Sequence, residues 1–450
     1  MMSIFIFSTT FSHPSRLQMA ARRPILTKRL ANVPADTVWN EMTPLAVKCG
    51  AINLGQGFPN FSPPPFAVEH LASVVNDPNP LVHQYCRPMG HPLLVEQLKI
   101  DYDRILNRKV NENTEIIVTS GVTQGLHLAC EALINEGDEV ISFAPAFDLY
   151  KNDVEMSGGV MTFLSMSAPA SKVADNRADD WCFDEAELRR LIEDKSNPSK
   201  TATKMIIMNT PQNVPGKVWS LKELEIIRKV AIEYDLWVVS DEVYTSLTYD
   251  GTEHVSIASL PDMFDRTLVM CSAGKTFACT GWKVGWVVGH ADAIRCMNQV
   301  LSHQTFCSPA VLQIAAARTM KTARESNYYA ELVDQYRERR DALCSMLKGV
   351  GLEPIIPSGS YFVLADIGKV NPKHYMVPAE AGENDDVGRD WKFCRWMTKV
   401  IGVNAIPTSA FVPTELRGKY EMFARFAFCK KESDIEEAGK RLQKLKDYME

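Results

Sequence analysis

The stretch KMIIMNTPQNVPGKVWSLKELEIIRKVAIEYDLWVVSDEVY, residues 204–244, decides the fold. It opens with a short, almost continuous apolar run, KMIIM, closed by turn-forming Asn, Thr and Pro, which reads as a buried β-strand. SLKELEIIRKVAIEYD then carries its apolar residues at helical spacing. Ser220 serves as N-cap with Glu223 three residues on, a capping box. LWVVSDEVY is a second apolar run ending in polar residues. Strand, helix and strand in succession, with both strands apolar on two faces, predict a parallel pair joined by a crossover helix.

The same alternation extends outward from about Glu115 to Val288. EIIVTSG, DEVISFAP, TLVMCSAG and GWVVG are further strand candidates, and TQGLHLACEALINEG has helical spacing. The fold class expected is α/β, a large domain with a mostly parallel central sheet flanked by helices. After Pro309 the sequence becomes long, charged and helical (NYYAELVDQYRERRDALCSMLKG), so a boundary is expected between residues 325 and 335. GSYFVLADI, DWKFCRWMTKV and YEMFARFAFCK then predict a smaller α+β unit closed by a C-terminal helix. Lys369 to Asp390, rich in Pro, Gly and acidic residues, reads as a surface loop.

Composition narrows the partners. The 450 residues are 46% apolar and carry a formal charge of −6 with no basic stripe, which argues against capture of nucleic acid or an anionic membrane. No run of eighteen apolar residues predicts a membrane-spanning helix. Eleven cysteines without a CxxC pair suit a reducing compartment. Residues 1–30 read as a disordered extension or a transit segment. Met1 to Ala35 lacks acidic residues while Arg16, Arg22, Arg23, Lys28 and Arg29 are present, so cytoplasm and mitochondrion both stand as compartments.

Open α/β sheets bind ligands where the carboxyl ends of their strands converge. Here those ends carry Asn209 to Gly216, then Ser240, Asp241, Glu242 and Tyr244, then Ser272 and Lys275. SAGKT matches the last positions of a phosphate-binding P-loop, but Val269 stands where its first glycine belongs. None of the nine histidines has HExxH-type spacing, there is no GxSxG elbow, and no metal site is expected. Lys275 lies in SAGKTFACTGWKVGW among small and apolar neighbours. A poorly hydrated amine loses basicity and becomes a nucleophile able to form a Schiff base with an aldehyde. Pyridoxal phosphate is the aldehyde whose other needs match the residues nearby. Asp241 can keep its ring nitrogen protonated, and Tyr244 and Asn213 can donate to its phenolic oxygen. Lys283, Ser272 and the turn Thr119 to Gly125 can hold its phosphate.

Together, SAGKTFACTGWKVGW, SDEVY, NTPQNVPG, NLGQGFPNF and GDEVISFAPAFDLY resemble the fold-type I pyridoxal-phosphate aminotransferases, and within them the kynurenine aminotransferase and cysteine-S-conjugate β-lyase family. The match runs from about Leu30 to the C-terminus. The resemblance implies residues 31–64 as an N-terminal arm joining the small domain, 65–330 as the large cofactor-binding domain and 331–450 as the small C-terminal domain. It implies Lys275 as the cofactor-linked catalytic lysine that moves the substrate proton, and Asp241 as the partner of the ring nitrogen. Tyr244 and Asn213 resemble the phenolate partners and Phe147 the ring stacked on the pyridine. Lys283 and Ser272 resemble phosphate ligands, with Val122 and Thr123 as the backbone cradle. Tyr85 resembles a tyrosine that reaches the phosphate of the neighbouring subunit, which implies a homodimer with shared active sites. Arg425 resembles the arginine that takes the substrate carboxylate, and Gly57, Trp39, Asn213 and Phe306 resemble lining of the substrate pocket.

Two positions depart from the family's pattern. Its Asn-Pro-x-Gly order appears here as Asn213-Val214-Pro215-Gly216, which is expected to set Asn213 slightly off its usual place. Cys307 stands where related sequences often carry histidine. The activity expected is transfer of the amino group of a large neutral or aromatic L-amino acid, of kynurenine, glutamine, phenylalanine or methionine type, to a 2-oxo acid, with β-lyase activity on cysteine S-conjugates. A dedicated carbon–sulfur lyase and a catalytically idle regulatory protein on the same fold are the alternatives.

Overall fold

The computed structural model describes residues 37–450 apart from 168–175, 195, 198, 381 and 382, together with 27, 30 and 33. Most of the N-terminal extension expected over residues 1–30 therefore lies outside the described residues. The strands are β1 (Ile52–Asn53), β2 (Ile116–Thr119), β3 (Glu139–Ala144), β4 (Val160–Ser165), β5 (Thr203–Asn209), β6 (Trp237–Asp241), β7 (Thr267–Ser272), β8 (Gly285–Gly289), β9 (Glu353–Ile355), β10 (Phe362–Asp366), β11 (Val403–Asn404), β12 (Ile406–Pro407) and β13 (Phe423–Ala427).

Seven of them form one sheet in the order β2-β8-β7-β6-β5-β3-β4. The β3/β4, β3/β5, β5/β6 and β6/β7 pairs are parallel. β8 is antiparallel to both β7 and β2, so β8 alone runs against the rest. Every residue of β2, β3 and β7 is buried, which is why those strands read as continuous apolar runs. β4 was not among the strand candidates. It is an edge strand, largely half-buried, and its sequence VMTFLS has neither strict alternation nor a fully apolar run.

The helix Leu221–Glu233 crosses from β5 to β6, and its capping box is complete. The Ser220 N–H donates to Glu223 Oε2 at 3.0 Å, and the Glu223 N–H donates to Ser220 Oγ at 3.4 Å.

A second, antiparallel sheet runs β12-β13-β10-β9, and β1 pairs in parallel with β11. Ile52 opposite Val403 thus ties the start of the described chain to its C-terminal segment. Arg425 sits at the centre of this second sheet, opposite Leu364 of β10 and Ile406 of β12. No helix among the described residues is long and apolar enough to cross a membrane.

Candidate active site

A cavity of about 310 Å³ opens at the carboxyl edge of the large sheet. Lys275, Asp241, Tyr244, Asn213, Phe147, Ser272, Lys283, Val122, Thr123, Arg425, Gly57 and Trp39 all line it. The parallel strands explain most of this convergence, because β5, β6 and β7 end side by side and release Asn209, Asp241 and Ser272 at one edge.

β7 gives way at Ser272 to the single helical turn Ala273–Thr276, which carries Lys275. Gly274 is required there, since a Cβ at that position would lie 2.9 Å from Thr280 Cα. The Lys275 amine donates to the Tyr361 hydroxyl at 3.0 Å and to the Gly57 carbonyl at 3.3 Å. Burial draws it down from 10.5 to about 8, against the opposing pull of Cys429 and Asp241. At neutral pH its unprotonated fraction is therefore about two orders of magnitude above that of a solvated lysine.

Asn209 and Asp241 face each other in the β5/β6 register. The Asp241 carboxylate is buried, and burial raises it to about 6 while the Tyr150 hydroxyl and the Val243 N–H hold it down. Those donors lie at 2.6 Å from Oδ2 and 3.3 Å from Oδ1. Near pH 7 Asp241 is thus mainly an anion, held in a fixed orientation inside an apolar wall. Asn209 donates to the Asp241 carbonyl at 2.7 Å and accepts from the Asn213 N–H at 2.6 Å, so one amide ties the two segments together. Burial, followed by the charge of Asp241, pushes the Tyr244 phenol well up, which keeps it a hydrogen-bond donor.

The other end of the cavity is built for an anion. Gly121 caps the helix Val122–Leu133 with φ +79°, where the first-turn N–H groups, those of Val122 and Thr123 among them, have no intrahelical acceptor. A Cβ on Gly121 would approach Lys283 Nζ to 2.9 Å, so glycine lets the lysine lie across the helix start. Lys283 itself is exposed at the rim, whereas Lys275 is half-buried.

Arg425 is 1% exposed and forms no ion pair among the described residues. Nη1 donates to Asn213 Oδ1 at 2.9 Å and Nη2 to Gly55 O at 2.8 Å, while Nε has no partner. The guanidinium lies 4.2 Å from the Phe362 ring centroid, 4.6 Å from Phe411 and 5.4 Å from Trp39. Burial lowers it to about 10, which still leaves it a full cation at neutral pH. A buried cation with no contact ion pair among the described residues, and only the more distant Asp148 carboxylate opposing its charge, is costly, so the arrangement is set to receive an anion from outside. Trp39 is fixed over it by a hydrogen bond from Nε1 to Asp148 Oδ2 at 3.0 Å. Gly57 has no room for a side chain, since its Cβ would fall 2.4 Å from Phe362 Cζ.

Phe306 and Tyr85 are not among the residues that line this cavity. Phe306, expected in the substrate pocket, is 47% exposed and outside this lining, because the helix that leads to it ends at Gln304 and the chain turns outward at φ +66°. Tyr85, 83% exposed, packs edge-on against it at 5.3 Å. Both the Asn213–Val214 and Val214–Pro215 bonds are cis, and Asn213 is among the lining residues. The sequence reading gave no role to Tyr150, Asn209, Tyr361 or Phe362. Tyr150 and Asn209 carry a sequence signal, as polar residues just past or at a strand's carboxyl end. Tyr361 and Phe362 come from the second sheet, and no motif announces them.

The chain is similar to known proteins over most of its length. The chain is 36% identical over 423 residues to a kynurenine–oxoglutarate transaminase of Dictyostelium discoideum, covering 91% of this chain and 94% of that one. It is 37% identical over 416 residues to kynurenine–oxoglutarate transaminase 3 of Homo sapiens, covering 91% and 88%. The crystal structure of a candidate kynurenine aminotransferase from Saccharomyces cerevisiae superposes with a TM-score of 0.87 at 31% identity, over 95% of this chain and all of that one. The family description "Aminotransferase class I and II" matches residues 50–442, and with the lysine, carboxylate and arginine converging on one cavity, the chain belongs to that family.

Proposed function

We propose that the cavity holds pyridoxal phosphate and that the chain transaminates large neutral or aromatic L-amino acids, of kynurenine, glutamine, phenylalanine or methionine type, onto a 2-oxo acid such as 2-oxoglutarate. The single observation that carries this reading is the meeting of a low-pKa amine, a buried carboxylate and a buried guanidinium with no ion pair among the described residues in one cavity. The residues fit the cofactor. Lys275 would hold it covalently, Asp241 would pair with its ring nitrogen, Tyr244 and Asn213 would donate to its phenolic oxygen, and Phe147 would cover the ring. Ser272, Lys283 and the N–H groups of Val122 and Thr123 would hold its phosphate.

When bound, pyridoxal phosphate supplies an electron-withdrawing ring that acidifies the Cα–H of an attached amino acid. The rest falls to the chain's own groups. Arg425 takes the substrate α-carboxylate in a planar fork, which fixes the amino acid's orientation. Lys275 Nζ, once the substrate amine has taken its place, would be a free amine able to accept the Cα proton and later return it. Trp39, Phe362 and Phe147 offer aromatic surface to a large side chain. The names of the relatives favour kynurenine as donor. The exposed Tyr85 and Phe306 pair supports a homodimer in which these rings serve the neighbouring site. Expulsion of a good leaving group from Cβ gives the cysteine-S-conjugate β-lyase activity as a side reaction.

The test mixes single amino acids with the cofactor-loaded protein and follows the visible absorption band in the absence of acceptor. Kynurenine, phenylalanine, glutamine or methionine should convert the band, and a 2-oxo acid should restore it. If none of them changes the spectrum, the reading fails, whereas turnover without any 2-oxo acid would favour the dedicated lyase.

The anion cradle gives a separate expectation. Gly121→Ala places a Cβ against Lys283 at a positive φ, and apoenzyme titrated with pyridoxal phosphate should show about tenfold weaker affinity. Unchanged affinity would remove Gly121 from the phosphate site.

A further inference from the structure

Among the described residues the Lys275 amine has two hydrogen-bond partners, the Tyr361 hydroxyl at 3.0 Å and the Gly57 carbonyl at 3.3 Å. The Tyr361 hydroxyl has one proton, and it is committed to that same Gly57 carbonyl at 2.6 Å. Toward the lysine the phenolic oxygen is left with lone pairs and can only accept. A neutral primary amine has two N–H bonds and one lone pair; the two oxygens, 2.6 Å apart, lie about 50° apart as seen from Nζ, so each N–H bond sits about 30° off its acceptor and the lone pair is turned to the side opposite the oxygen pair. A hydroxyl donating to the amine would do the opposite and occupy the electron pair needed as a base.

Both acceptors are held rigidly. Tyr361 is fully buried, stacked on Tyr336 at 6.1 Å and 18° and edge-on to Tyr244 at 5.0 Å. The Gly57 backbone is pressed against the Phe362 ring, which only a glycine permits. The two meet across 304 residues of sequence, one beside the N-terminal strand β1 and the other just before β10.

We propose that Tyr361 is a positioning residue for the proton transfer: with the Gly57 carbonyl it clamps both N–H bonds of unprotonated Lys275 and turns the lone pair away from the wall, toward the substrate Cα. This rests on the transaminase reading above, and the test separates the two. Tyr361→Phe keeps the ring and its stacking but removes one acceptor. Its kcat should fall about tenfold with KM within about twofold, and the isotope effect from α-deuterated substrate should rise, because misorientation slows the proton transfer itself. A second readout needs no turnover: the variant apoenzyme should attach pyridoxal phosphate to Lys275 more slowly, as followed by absorbance. Tyr336→Phe, in the same stack, should match wild type in both.

If wild type transaminates while Tyr361→Phe shows an unchanged isotope effect and an unchanged attachment rate, the clamp is overturned and the function stands. A wild type that converts no amino acid overturns the function instead. Should Tyr361→Phe fail to fold, a crystal structure of the wild-type apoenzyme decides. Nζ within hydrogen-bonding range of both oxygens supports the clamp, and Nζ more than about 4 Å from the Tyr361 oxygen overturns it.

Discussion

Lys275→Ala is expected to lower kcat by about 10⁴-fold or more, because it removes at once the covalent anchor of the cofactor and the base that moves the Cα proton. The variant should still bind pyridoxal phosphate through Asp241 and the anion cradle, but its spectrum should be that of a free aldehyde, with no lysine adduct on borohydride reduction. Wild-type activity in the variant would contradict the assignment. The same residue predicts a pH dependence. Its amine is drawn down to about 8 by burial, so attachment of the cofactor to apoenzyme should accelerate as pH rises through that value. Stability follows with a defined sign. Between pH 8 and 10.5 the unfolded chain holds a proton on Lys275 that the native chain has released. The apoenzyme should therefore gain stability as pH rises across that window, and Lys275→Ala should show less of that gain in denaturant titrations.

The second large effect belongs to Arg425. Arg425→Leu should reduce kcat/KM for amino acids by about 10³-fold, since two charge-assisted hydrogen bonds to a carboxylate are lost in a site sealed by Trp39, Phe362 and Phe411. It also leaves Asn213 Oδ1 and the Gly55 carbonyl without their donor. Arg425→Lys retains the charge but not the planar fork, and should recover only part of the loss. In both variants the cofactor band should remain, because Arg425 is not among the groups assigned to hold pyridoxal phosphate. Loss of the band along with activity would point to a general collapse instead. A near-normal kcat/KM in Arg425→Leu would remove it as the carboxylate site.

The chain's own sequence determined the large sheet to a considerable degree. Strands buried on both faces must be continuously apolar, so β3, β5, β6 and β7 announced themselves, and the Ser220 capping box marked the start of the crossover helix. Residues at the carboxyl ends of parallel strands must converge. That is why Asp241, Ser272 and Lys275 read as one group from the sequence. The edge strand β4 escaped because a half-buried strand needs neither pattern in full.

Contacts across long stretches of chain were decided only by tertiary structure. Nothing near Lys275 in sequence indicates that Gly57 and Tyr361 will accept its hydrogen bonds, nor that Tyr150 will meet Asp241 91 residues away. Arg425 was legible as a cation in an apolar run. The three rings around it and the absence of an ion pair among the described residues depend on how the second sheet closes over the first. Phe306 shows the same limit from the other side, since its place after a helix gave it no direction until the chain's turn at Thr305 and Phe306 aimed it outward. Periodicity records which face of an element is buried; it carries no information about which distant segment will cover that face, and the finer chemistry of this site lies in those covering segments.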